Sequence, residues 1–127
     1  MVRYFSQEFF GQIQETLAND PKWKESTKSL KTTIRLTSVD QGGSSSYLLK
    51  VEDGKTTISP TEPAATAEFS FEGTYETWTK VARGEVDFQS AVLKGLLKFK
   101  GSITKILFYK DRFLRIAEVM RSLPVDF

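Results

Sequence analysis

Two absences limit the chemistry open to this chain, because its 127 residues include no cysteine and no histidine. Thiolate nucleophiles, imidazole bases, disulfides and Cys/His zinc sites are therefore excluded. Carboxylates, Lys and Tyr remain for acid–base work, but the sequence shows neither paired carboxylates nor metal-ligand spacing. Glu68 and Glu72 share one face of a predicted strand, which is the ordinary polar face of a half-buried strand. We therefore expect no catalytic residue, no cofactor and no metal site, and an enzyme using Glu, Asp or Lys is a disfavoured third function behind the two given below.

Basic side chains are concentrated near the C-terminus. Residues 1–93 carry 10 basic and 13 acidic side chains, whereas residues 94–127 carry 8 basic and 3 acidic ones. A basic face of this kind could meet anionic lipid headgroups or acidic ligands, or it could be a solvated helix face. No nucleic-acid partner is expected, because no recognised motif is present and the aromatic residues lie on apolar faces.

The segment Gly84–Leu107 must position many of the apolar and basic side chains. Its pattern predicts a short helix, Phe88–Lys94, that begins after Asp87, and then a strand, Leu96–Lys100. Ser102 is placed to cap a further helix. Because almost no residues separate these elements, we expect their apolar side chains to converge on one interior.

Alternation of apolar and polar residues predicts a single sheet. Asp53-Gly54 is a strong hairpin signal within it. The segments Asp40–Ser46 and Pro60–Thr66 are predicted to be loops, because glycine, serine and proline dominate them. The five predicted strands are Thr32–Val39, Tyr47–Glu52, Lys55–Ser59, Ala67–Glu72 and Leu96–Lys100.

Helical periodicity and capping residues predict the remaining elements. They are a first helix Gln7–Leu17 after Ser6, a short turn Lys22–Lys28 after Asp20, a helix opened by Thr74 that carries Tyr75, Trp78, Val81 and Ala82, and a last helix from Ile103 to about Met120. The last helix is apolar over much of its circumference, so we expect a partner, a lipid or a membrane to cover part of it. The order predicts one α+β domain over residues 1–127, with a five-stranded mainly antiparallel sheet and helices packed on one face.

No apolar run is long enough to cross a bilayer and the N-terminus lacks a signal peptide, so a cytoplasmic location is expected.

The ordered spacing from Ala67 to Leu107 resembles that of the sterol carrier protein type 2 family, the sterol- and lipid-transfer domain. The resemblance rests on the strand Ala67–Phe71, the helix end Val81–Gly84, Ala91, and the turn Gly95–Ser102. It implies a sheet covered by helices that enclose an apolar tunnel. It also implies binding of fatty acyl, acyl-CoA, phospholipid or sterol ligands without covalent chemistry.

Ten Phe, two Trp and four Tyr could form stiff walls for such a tunnel or simply fill a core. Lys98, Lys100 and Lys105 are candidates for meeting a carboxylate or phosphate at its mouth. The apolar faces nominate nine ligand-binding wall residues: Phe71, Trp78, Val81, Phe88, Val92, Phe99, Ile103, Ile106 and Leu107.

Two functions from different classes remain open on this basis. The first is a non-enzymatic lipid-binding and lipid-transfer module with transient contact to an anionic membrane surface. The alternative is a protein-interaction subunit, for example a homodimer, that uses the apolar C-terminal helix.

Overall fold

The computed structural model describes residues 2–40 and 43–127, in which six helices and seven strands are placed. The strands are β1 (Val2–Arg3), β2 (Lys31–Asp40), β3 (Gly43–Glu52), β4 (Lys55–Thr61), β5 (Phe69–Thr74), β6 (Lys98–Lys100) and β7 (Val125–Asp126). The helices are α1 (Gln7–Ala18), α2 (Pro21–Ser26), α3 (Tyr75–Ala82), α4 (Phe88–Leu93), α5 (Ile103–Phe108) and α6 (Lys110–Ser122).

The main sheet has five strands in the order β4-β3-β2-β5-β6. Neighbouring strands are antiparallel except β2 and β5, which run parallel. This confirms the predicted five-stranded, mainly antiparallel sheet. A second, two-stranded sheet pairs β1 with β7 in parallel, with Val2 opposite Val125, and the sequence did not predict it.

Several strand boundaries differ from the predicted ones. The segment Asp40–Ser46 was expected to be a loop, but Asp40 is the last residue of β2 and Gly43–Ser46 are the first residues of β3. Gln41 and Gly42 lie outside the described residues. The strand β4 continues through Pro60 to Thr61, which an edge strand tolerates because a missing N–H on its outer side breaks no ladder bond. The predicted strand 67–72 is shifted by two residues to β5, and the predicted strand 96–100 is shortened to β6. The hairpin at Asp53-Gly54 is confirmed, with φ of 50° and 82° as a type I′ turn requires.

One face of the main sheet carries the core. Ile34 on β2 lies beside Leu49 on β3 and Phe69 on β5 in the sheet register, and all three are buried. The helix α1 covers this face with its own buried stripe, and Phe5 packs on Phe10 at a ring-centroid distance of 5.0 Å as a hydrophobic staple. The helices therefore pack on one face of the sheet, as predicted.

Helix starts follow the sequence closely. Each predicted capping side chain accepts a hydrogen bond from a backbone N–H in the first turn, which satisfies donors that a helix start otherwise leaves unpaired. The five caps are Ser6, Asp20, Thr74, Asp87 and Ser102.

The predicted single last helix is wrong, because the chain breaks at Tyr109 (φ −96°, ψ 12°) into α5 and α6. The break changes which side chains face the core. In α6 the buried residues include Ile116 and Val119, while Leu114 is only half-buried. In α5 no residue is fully buried. The apolar surface left uncovered therefore belongs to α5 and not to the C-terminal helix α6.

An ion pair fastens α6 to the start of α2. Arg115 Nε donates to Asp20 Oδ2 at 2.7 Å, and the Asp20 side chain is buried where it caps α2. Burial alone would raise the pKa of Asp20, but hydrogen bonds from Arg115 and from the N–H groups of Trp23 and Lys22 outweigh it. The net pKa of this carboxyl lies below its ordinary value, so the pair stabilises the fold while Asp20 is ionised.

Asp20→Asn, which keeps a capping side chain but removes the charge, is expected to lower the free energy of unfolding at pH 7 by about 1 kcal/mol. Because the native pKa is depressed, this contribution is fully present above about pH 4, the unfolded pKa, and disappears as pH falls through the native pKa. Urea unfolding of both proteins between neutral and acid pH measures the difference. A gap that stays constant down to the acid limit would show that the ionised pair contributes nothing.

Candidate ligand-binding groove

An apolar groove lies between β6 and the helices α4, α5 and α6. Its cavity volume is ≈ 160 Å³, and we call it the outer groove. The walls are apolar, and the polar side chains that reach it are Gln89 and Lys110. Its lining is Phe88, Gln89, Val92, Leu93, Phe99, Ile103, Ile106, Leu107, Lys110, Phe113 and Leu114.

A smaller and more enclosed space, the inner cavity, lies between the sheet and α3, α4 and α6 and has a volume of ≈ 30 Å³. The sheet contributes Ile34, Leu36, Leu49 and Phe71, and α3 contributes Trp78, Val81 and Ala82. The Trp78 indole is fixed there, because its Nε1–H donates to the Thr37 carbonyl at 2.9 Å. Tyr4 also donates its hydroxyl to the Trp78 carbonyl at 2.8 Å, and burial raises the pKa of that phenol, so Tyr4 is a neutral donor.

Two phenylalanines, Phe88 and Phe113, line both spaces and form the partition between them. Phe71 packs against both, with ring-centroid distances of 5.0 Å to Phe88 and 5.9 Å to Phe113, and it lies 5.2 Å from Phe99. Tilted and edge-on contacts of this kind hold aromatic rings in place. The apolar interior thus contains two spaces on either side of the Phe88 and Phe113 side chains, and the continuous tunnel stays a prediction.

The structure brings all the nominated wall residues to one or the other space. Phe71, Trp78 and Val81 line the inner cavity, and Phe88 lines both. The residues that line the outer groove alone are Val92, Phe99, Ile103, Ile106 and Leu107. Their assignment as ligand contacts stays a prediction.

The nominated lysines do not reach either space. Lys98 and Lys100 flank Phe99 on β6, and since alternate residues of a strand point to opposite faces, they lie on the face away from the groove. Lys105 instead pairs with Glu68, with Nζ 3.1 Å from Oε2. The basic side chain at the groove is Lys110.

The Lys105–Glu68 pair ties α5 to the strand region before β5. The hydrogen bond with Glu68 and the charge of that carboxylate raise the pKa of Lys105. Burial raises the pKa of Glu68, but hydrogen bonds from Thr32 and Lys105 lower it more, and the net pKa is below its usual value. Both groups are therefore charged at neutral pH, and Glu68 is engaged in structure and not free for acid–base chemistry.

Sequence reasoning missed several lining residues. Phe113 and Leu114 lay within the apolar stripe of the predicted last helix, so a signal existed for them. Lys110 could be placed only once the break at Tyr109 was known. Tyr4 carried no local signal, because it follows β1, whose position depends on pairing with the other end of the chain.

A family model described as the SCP-2 sterol transfer family matches residues 10–112. The chain belongs to this family. Membership confirms the resemblance seen in the sequence, and it implies lipid or sterol binding and transfer. No curated protein sequence matches the chain.

Solved structures of SCP-2-like proteins share the fold. A crystal structure titled sterol carrier protein 2 has a TM-score of 0.85 at 19% identity and covers 96% of this chain and 100% of its own. A solution structure from Thermus thermophilus, titled a conserved hypothetical protein and "possibly sterol carrier protein", has a TM-score of 0.82 at 20% identity and covers 99% of this chain and 93% of its own.

The same SCP-2-like fold also occurs inside an enzyme. A sec-alkylsulfatase from a Pseudomonas species matches with a TM-score of 0.53 at 14% identity, covering 82% of this chain but 15% of the enzyme. At 14–20% sequence identity, these three structures show that the fold is shared and nothing about function. Within residues 2–40 and 43–127, no helix is long and apolar enough to cross a membrane.

Proposed function

We propose that this chain binds a lipid with a long acyl chain in the outer groove and releases it chemically unchanged. The observation that carries the proposal is an open groove with apolar walls and two polar side chains, Gln89 and Lys110. An acyl chain would pack on the walls. A carboxylate or phosphate headgroup would accept hydrogen bonds from Lys110 at the rim. Residues 1–127 together would form the one lipid-binding domain.

Apolar burial supplies enough free energy for this. Each buried methylene contributes roughly 0.8 kcal/mol, so a chain of about 16 carbons gains on the order of 12 kcal/mol before association costs. Those costs are about 4–15 kcal/mol, which leaves room for an affinity near the micromolar range. Ligand specificity would then depend on groove length and on the rim lysine.

The outer groove as it stands is shorter than such a chain needs. A cavity of about 150 Å³ holds a molecule the size of benzene, and the outer groove at ≈ 160 Å³ is of that size. The inner cavity lies directly behind the partition formed by Phe88 and Phe113. Rotation of these two side chains would join the spaces and admit the end of an acyl chain.

Non-covalent binding is favoured over catalysis by the groove chemistry. The lining contains no carboxylate and no hydroxyl group, and Lys110 is its ionisable side chain. A lone lysine at an open rim lacks the neighbouring base or desolvation that would activate it as a nucleophile. A cytoplasmic location stays a prediction.

A second candidate function is docking of a protein partner or of a second copy, and one observation favours it. Leu107 and Phe108 of α5 are largely exposed, although both are large and apolar. The partner would therefore contact α5, because α6 uses its apolar side to cover the sheet of its own chain. A strictly monomeric protein with no co-purifying protein would exclude this function.

Organic extraction of the purified protein, followed by mass spectrometry, tests the first function. We expect about one fatty acid or phospholipid per chain, or saturable binding of a fluorescent fatty acid near the micromolar range when the extract is empty. A folded sample that yields an empty extract and binds no fatty acid would overturn the proposal. The same sample on a sizing column tests the second function.

A further inference from the structure

The segment 88–110, which forms α4, β6 and α5, has an unusual charge pattern. It contains five lysines and no acidic residue, while Asp87 and Asp111 stand just outside it. Lys94 and Lys110 form no salt bridge within the described residues. This segment of the chain therefore carries a net positive charge.

The same segment exposes the apolar side chains least covered by the rest of the protein. The four most exposed large apolar residues described are Leu93 (80%), Phe108 (76%), Leu107 (65%) and Ile103 (64%). Three of them form the rim of the outer groove, and Phe108 lies next to that rim. Phe108 does not line the groove, and the aromatic ring that packs beside it among the described residues is that of the adjacent Tyr109, at 5.7 Å. We call Leu93, Ile103, Leu107 and Phe108, with Lys94 and Lys110, the mouth surface.

The charge pattern selects the kind of partner that would cover the mouth surface. A symmetric dimer through this surface would bring the same patch of both copies together, so lysines would face lysines. An anionic bilayer satisfies both features, because lipid headgroups pair with lysines while apolar side chains enter the boundary with the acyl chains. In that setting the exposed Phe108 ring would enter the boundary between the lipid headgroups and the acyl chains.

We propose that the mouth surface docks on an anionic lipid bilayer, with α5 lying at the interface and the outer groove opening toward the lipid. Docking itself rests only on the mouth surface. The further step, in which an acyl chain passes from the bilayer into the groove without crossing water, rests on the proposed lipid-binding function.

The test is co-sedimentation of the full chain with vesicles of phosphatidylcholine, with and without phosphatidylglycerol. We expect binding only to the anionic vesicles, and its loss as salt rises from about 0.1 M to about 1 M, where the Debye length shrinks from roughly 10 Å to roughly 3 Å. The double variant Lys94→Gln with Phe108→Gln should bind at least about tenfold more weakly, since one lysine alone is worth about fivefold. Neither residue lines the outer groove.

The matched control is Lys55→Gln with Val39→Thr. Lys55 begins β4, at the sheet edge opposite β6, and Val39 is an exposed apolar residue on β2. This variant should bind vesicles like the unmodified chain. A second probe, Phe108→Trp, should show a blue-shifted fluorescence with anionic vesicles, because both natural tryptophans are already buried.

Equal binding to neutral and anionic vesicles, no binding to either, or an equal loss in the control variant would overturn docking. A dimer that Phe108→Gln dissociates, without vesicle binding, would assign the mouth surface to a second copy. Titration with a fluorescent fatty acid in the absence of vesicles separates the two proposals. Fatty-acid binding without docking would leave the lipid-binding function standing, and docking without fatty-acid binding would leave only the docking.

Discussion

Replacing Ile106 by aspartate is expected to weaken fatty-acid binding about a hundredfold. Ile106 is a half-buried wall residue of the outer groove on α5. A carboxylate there would lose its hydrating water when an acyl chain binds. Because the site is only partly buried, we take the free-energy cost of this desolvation as about 3 kcal/mol. Titration with a fluorescent fatty acid measures the affinity, and circular dichroism checks that the variant is folded.

Thr104→Asp is the matched control for Ile106→Asp. Thr104 lies on the same helix and is exposed, but it does not line the groove. This variant carries the same added charge, so any repulsion of the fatty-acid carboxylate through solvent appears in both. We expect Thr104→Asp to bind within about threefold of the unmodified chain. Ile106→Trp, which fills the groove without adding charge, should also weaken binding, and unchanged binding by both Ile106 variants would rule out the outer groove as the site.

Trp78→Ala is expected to lower the free energy of unfolding by about 4 kcal/mol, the largest stability effect we foresee. Trp78 is 1% exposed, and truncation of a buried aromatic side chain typically costs about 3–5 kcal/mol. It would also leave the Thr37 carbonyl without the indole donor at 2.9 Å. Urea unfolding followed by far-UV circular dichroism measures the change, and total stabilities are only about 5–15 kcal/mol.

Trp78→Phe separates packing from hydrogen bonding in this effect. Phenylalanine keeps most of the ring but cannot donate to Thr37, so we expect a loss of about 1–2 kcal/mol. If Trp78→Ala cost less than about 1 kcal/mol, the packing of α3 against the sheet would not be a main source of stability. Because Trp78 lines the inner cavity, the alanine variant should also enlarge that space behind the partition.

Local chemistry in the sequence determined where helices begin and where one hairpin turns. Each cap needs only a side-chain oxygen placed two or three residues before a backbone N–H, as in Asp87 with Ser90 and Ser102 with Lys105. The Asp53-Gly54 turn likewise depends on two residues that accept positive φ. The alternation of apolar residues identified the strands and the face that meets the helices, and the spacing from Ala67 to Leu107 identified the family. The nominated wall residues came from the same apolar faces, and their role as ligand contacts stays a prediction.

Tertiary structure decided what depends on contacts distant in sequence. Val2 pairs with Val125 from the opposite end of the chain, and short segments of this kind have too few residues to show a strand pattern. The break at Tyr109 carries no glycine or proline signal, and it separates α5, which buries no residue fully, from α6, which packs on the core. That break places Lys110 at the groove and leaves Phe108 exposed. The direction of Lys98 and Lys100 was likewise set by strand pairing, because the register of Phe99 opposite Phe71 sends its neighbours to the other face.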